Sequence, residues 1–109
     1  MTKYLIQEAA SFRLDEIYFY TINKWGKEQA DRYITEMFEV FECITDKKVL
    51  WRPIPAEFDV DGYFTKYKSH FIYWKILKSG KIGIVTILHE RMHQISRFKG
   101  DFFYMQKEK

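Results

Sequence analysis

Cysteine is nearly absent from this 109-residue chain: Cys43 stands alone. A single thiol excludes an internal disulfide and any cysteine-based zinc site, and its plain reading is a buried, reduced side chain in a reducing compartment. Proline is scarce too, and both prolines, Pro53 and Pro55, fall in one short stretch. No apolar run approaches the ~18 residues that a membrane span needs. The opening, Met1-Thr2-Lys3-Tyr4-Leu5-Ile6, lacks the apolar core of a signal peptide, so a cytosolic chain without membrane contact is expected. No glycine loop that could cradle phosphate, no CxxC pair, no nucleophile elbow, no repeat and no low-complexity segment is found.

What is present is apolar and aromatic: 47% of residues are hydrophobic and 19% aromatic. That composition excludes disorder and, at this length, predicts one domain spanning residues 1–109. The formal charge is only +3, but it is polarised. Residues 1–61 hold 8 Lys and Arg against 12 Asp and Glu, a net of −4, whereas residues 62–109 hold 10 against 3, a net of +7. A basic half favours an anionic partner on its own side, although dispersed lysines also serve solubility alone.

The stretch from Gly62 to His93 organises the rest. Two runs rich in β-branched and aromatic residues, His70–Leu77 and Ile82–Leu88, flank Lys78-Ser79-Gly80-Lys81, which is how a β-hairpin reads. The second run is apolar on both parities, so it is expected at the centre of a sheet covered on both faces. Tyr63–Lys68 predicts a strand leading into the hairpin, and Lys3–Gln7 a short strand at the start. Between them lie two helical patterns. Ala10, Leu14, Ile17, Thr21 and Trp25, joined by Tyr18, recur at helical spacing up to Gly26, the expected stop. Ala30, Ile34, Met37, Phe41 and Ile44, with Phe38, mark a second helix. The turn between them is so short that the helices must form an antiparallel hairpin, with their aromatic stripes read as core. Val49–Asp61 reads as irregular because Arg52 and Ile54 precede prolines. Ile95, Phe98 and Phe102 fit a short helix after His93. The expected architecture is α+β, an antiparallel β-sheet packed on one face against an N-terminal helical hairpin.

Few residues carry candidate chemistry. His89-Glu90-Arg91-Met92-His93 matches H-E-x-x-H in letters, but that zinc site needs one helix carrying both histidines, and a strand-forming run leads straight into His89. No metal and no cofactor are expected. Lys66, Lys68, His70, Tyr73, Arg91 and His93 are the residue types of a metal-free acid–base site, and equally of a phosphate-contacting or protein-contacting surface. Lys66, Lys68 and His70 share one parity and would share one face, unless Ser69 turns the chain.

Four segments resemble one family. They are Ala9-Ala10 with Leu14-Asp15-Glu16-Ile17; Trp25-Gly26 with Ala30-Asp31-Arg32-Tyr33-Ile34; His70-Phe71-Ile72-Tyr73-Trp74-Lys75; and Ile84-Val85-Thr86-Ile87-Leu88-His89-Glu90-Arg91-Met92. In order and spacing they resemble the ParE/RelE superfamily of type II toxin–antitoxin toxins, the ParE branch above all. The resemblance implies the fold just derived and a bacterial or plasmid-stabilising toxin held inactive by a cognate, ParD-like antitoxin, which alone would bring it to operator DNA. It implies DNA gyrase as target and inhibition by protein binding, not by catalysis. Lys66, His70, Tyr73, Lys75, Arg91 and His93 are then the expected target-binding residues. The RelE branch implies instead a ribosome-dependent mRNA endonuclease using Lys66, Lys68, His70, Arg91 and His93. A decayed toxin retained as a binding module is the third reading.

Overall fold

The computed structural model describes residues 4–58 and 60–91. The described residues open with strand β1 (Tyr4–Ile6), then helices α1 (Glu8–Trp25) and α2 (Lys27–Thr45). A two-residue strand β2 (Arg52–Pro53) and a 3-10 turn at Ala56–Phe58 follow, then β3 (Tyr63–Tyr67), β4 (His70–Ile76) and β5 (Ile82–His89).

Gly26 alone joins the two helices. Its φ of +97° is one that only glycine adopts cheaply, its N–H donates to the Ile22 carbonyl at 2.9 Å, and its carbonyl accepts from Ala30 at 3.1 Å. One residue therefore closes α1 and opens α2. Tyr18 of α1 then donates to the Asp31 carboxylate of α2 at 2.6 Å, across the hairpin. The buried faces are Ala10, Leu14, Ile17 and Thr21 on α1 and Ala30, Met37, Phe41 and Ile44 on α2, as their spacing predicts. One expectation fails on α1. Trp25 continues the apolar period but overshoots the sheet and is 65% exposed, and Phe12, Phe19 and Tyr20 also face solvent, so the aromatic residues of this helix are not all core. Conversely, Arg13 is buried.

The sheet order is β1-β5-β4-β3-β2. β5 is central and every residue from Ile82 to Leu88 is buried, as its apolar character on both parities requires. The sheet is mixed rather than antiparallel: β1 pairs parallel with β5, Tyr4 opposite Ile82 and Ile6 opposite Ile84. The helical hairpin intervenes between β1 and the rest of the sheet, and it returns the chain so that β1 and β5 point the same way. Tyr73 pairs with Thr86 and Trp74 with Ile84, leaving Val85 as an extra residue in a bulge.

Alternation along β4 and β5 gives the sheet two apolar faces. Ile72, Trp74, Ile84 and Ile87 pack beneath the helices with Leu14, Met37 and Phe41. Tyr73, Val85 and Leu88 point the other way and meet Ile54 and Phe58. The stretch expected to be wholly irregular thus lends a short edge strand to the sheet, where a proline is tolerated, and covers its second face. Gly62 holds that cover in place. Its φ is +153°, its carbonyl accepts from Ile54 at 3.0 Å, and a Cβ there would lie 2.8 Å from the Trp74 carbonyl oxygen. The short helix expected after His93 lies outside the described residues.

Candidate functional site

The turn between β3 and β4 decides which charged residues meet. Tyr67 pairs with His70, so Lys68 and Ser69 alone make the connection, with Lys68 at a φ of +52°. The turn scatters the three residues expected on one face. Lys66 lies on the face away from the helices, over the Phe71 ring and 2.8 Å from Glu90. Lys68 swings to α2 and pairs with Glu36 at 3.2 Å. His70 points beneath α2, where the Tyr33 hydroxyl and His70 Nδ1 share a hydrogen bond of 2.7 Å.

Around His70 the environment is half-buried and aromatic. Its ring meets Tyr33 edge-on at 5.7 Å between centroids, and His89, opposite it on β5, at 5.1 Å. Burial, with a smaller push from His89, lowers the His70 imidazole from its ordinary value near 6.5 to about 4, so it is neutral at physiological pH. Burial likewise pushes the Tyr33 phenol up to about 12. The Tyr67 hydroxyl donates to Glu36, and Tyr67 with Lys68 holds that carboxyl below the usual range. His89 Nδ1 accepts the backbone N–H of Arg91 at 3.1 Å. β5 ends at His89 and a turn follows, so no helix starts before His89 as the H-E-x-x-H reading would need. Among the described residues no three His, Cys, Asp or Glu side chains converge.

His70, His89 and Arg91 form one end of an open groove of about 860 Å³ between the sheet and α1. Arg13, Ile17, Tyr20, Thr21, Lys24 and Trp25 of α1 line it, with Tyr33 of α2 closing one side. Of the expected site residues the groove gathers His70 and Arg91. Lys66, Tyr73 and Lys75 lie on the opposite face, where Tyr73 is a core residue only 3% exposed, and His93 lies outside the described residues. Arg13, Tyr20 and Tyr33 were not expected in a site. Arg13 interrupts an otherwise apolar helix stripe, and Tyr33 flanks one, and those interruptions are the signal that marks them.

A helical hairpin on one face of a mixed sheet, with a cationic, aromatic groove between them, defines a small α+β protein. The same fold occurs in a chain of the solved structure described as "Chromosomal ParDE TA system from P. aeruginosa", with a TM-score of 0.65 at 18% identity over 82% of this chain and 96% of that one. The chain belongs to the ParE toxins of type II toxin–antitoxin systems, parDE, whose family profile matches residues 4–94. Among its relatives is Toxin ParE1 of Mycobacterium tuberculosis, 27% identical over 93 residues, covering 84% of this chain and 92% of the relative. Toxin ParE1 of Caulobacter vibrioides is 28% identical over 94 residues, covering 85% and 94%.

Proposed function

We propose that this toxin acts as a single domain in the cytosol by binding DNA gyrase and blocking it, and that a ParD-like antitoxin encoded beside it neutralises it and brings it to operator DNA. Family membership supports both halves of the reading. The observation that carries inhibition by binding, as against RNA cleavage, is the scattering of the acid–base candidates. Lys66 is on one face with Glu90, Lys68 is paired with Glu36, and His70 is on the other face with Tyr33. General acid–base catalysis needs its groups within hydrogen-bond reach of one substrate, and these three do not face one space.

The test is induced expression in a bacterial host, with labelled thymidine and labelled methionine reporting DNA and protein synthesis separately. A fall in DNA synthesis before protein synthesis, with filamentation, is expected, and so is loss of gyrase supercoiling by the purified chain that the antitoxin restores. Immediate translation arrest with cleaved mRNA would overturn the reading in favour of a nuclease. Normal growth together with unimpaired supercoiling would leave only a binding module.

A further inference from the structure

Lysines near the groove end of the molecule have carboxylate partners: Lys27 pairs with Asp31, Lys66 with Glu90 and Lys68 with Glu36. Lys47, Lys48, Lys78 and Lys81 do not. All four are exposed, and none forms an ion pair among the described residues. The fold gathers them at the other end. Lys78 and Lys81 sit on the β4–β5 turn, which the Leu77 and Gly80 N–H groups close onto the Lys81 and Leu77 carbonyls at 2.8 Å and 2.9 Å. Lys47 and Lys48 follow α2, their N–H groups donating to the Ile44 and Cys43 carbonyls at 3.1 Å and 2.8 Å. The Lys47 ammonium stands 5.1 Å above the Trp51 ring, which meets Trp74 of β4 at 5.7 Å and Tyr63 of β3 at 5.0 Å. Trp74 is near the last residue of β4, so the end of α2 comes down beside the β4–β5 turn. His70 and His89, at the opposite ends of their strands, are about 25 Å away. Lys47 also has a φ of +58°, a position that glycine would hold at lower cost. Asp46 and Asp61 are the carboxylates of the turns at this end, and Lys75, beside Gly62, offsets one of them.

We propose that this end of the molecule binds the phosphate backbone of duplex DNA, without reading its sequence, through Lys47, Lys48, Lys78 and Lys81. The contact belongs to the toxin itself and is separate from any contact with operator DNA that an antitoxin supplies. Charge and shape select this occupant. Lysine is a compact point charge on a flexible stem, suited to phosphates that are met without fixed geometry. Duplex DNA carries one charge per ~1.7 Å of its axis, so a short stretch meets all four ammonium groups, and each one that replaces a condensed counterion adds affinity. A single strand would call for exposed rings on which bases stack, but Trp51 and Tyr63 are half-buried and engaged with each other. A protein partner would call for an apolar patch, and Leu50 and Ile76 are isolated exposed side chains without aromatic neighbours in the open. Where gyrase is the target, the contact places the toxin on the enzyme's own substrate.

The experiment needs neither gyrase nor an antitoxin, so its failure is distinct from failure of either reading. Fluorescence anisotropy of a short labelled DNA duplex of arbitrary sequence is followed with the full-length chain between about 50 and 200 mM salt. Binding that weakens steeply with salt is expected. Lys78→Gln with Lys81→Gln, and separately Lys47→Gln with Lys48→Gln, should each weaken Kd about 10-fold and lower the slope of log K against log salt by about 2. Lys27→Gln with Arg32→Gln removes the same charge from exposed positions at the start of α2 and should leave both quantities unchanged. An unchanged urea midpoint in each variant shows that folding is intact. Absence of binding by the wild type overturns the proposal, and so does an equal loss in the two lysine pairs and the control pair, which would reduce the effect to net charge. Tighter binding to a single strand or to an RNA duplex overturns the choice of duplex DNA.

Discussion

Acidification should weaken this fold through one histidine. The His70 ring is held against Tyr33 and His89 beneath α2, and burial holds its pKa at about 4, against an ordinary 6.5 when the chain is unfolded. The unfolded chain therefore takes up a proton at His70 between those two values while the folded chain does not. Stability is full above pH 6.5 and falls as the pH drops toward 4. For one such group the linkage relation gives a loss of about 2 kcal/mol between pH 7 and pH 5. Solvent screening of a ring that is only partly buried brings this nearer to about 1 kcal/mol. The carboxyls held low by ion pairs, Glu36 and Glu90, act in the same direction but at lower pH, and the comparison with a variant lacking the His70 ring separates its share from the rest. Urea unfolding at half-unit steps of pH, for the wild type and for His70→Gln, measures the effect. Gln has no proton to take up, so its stability should stay flat over that window while the wild type declines. Parallel curves for the two proteins, or a wild type indifferent to pH from 7 to 5, would refute the account of a buried neutral imidazole.

Two further substitutions test the packing. Gly62→Ala places a Cβ against the Trp74 carbonyl oxygen and the Ile54 side chain at a φ that alanine adopts poorly, and should cost about 2–3 kcal/mol in urea unfolding. Lys66→Ala breaks an exposed ion pair with Glu90 and should leave the unfolding midpoint unchanged, since such pairs contribute little.

The helical hairpin, its glycine joint and the β4–β5 hairpin were legible in the sequence because each is written in local periodicity. The parallel pairing of β1 was not. Tyr4 and Ile82 are far apart in sequence, and three apolar residues carry no signal of direction. The face shared by Lys66, Lys68 and His70 failed for a different reason: parity holds only along a straight strand, and a two-residue turn at Lys68 resets it. Trp25 shows the limit of periodicity in helices, since a period can run on past the end of the surface it packs against. The groove escaped altogether because its residues come from α1, α2 and two strands, and because a charged residue on an apolar stripe, Arg13, reads as noise until its burial is known.

The parallel strand also sets an order of assembly during synthesis. β1 leaves the ribosome first but has no partner until residues 82–84 follow it. The helical hairpin, made of local contacts, can close long before that, with Leu14, Met37 and Phe41 still bare. A nascent chain stalled before β3 is thus two helices with an uncovered apolar face, open to proteases and chaperones. The groove does not exist at that stage, because His89 and Arg91 at its end are not yet made. A partner that reads the groove can therefore recognise only a chain translated through β5 and the turn after it.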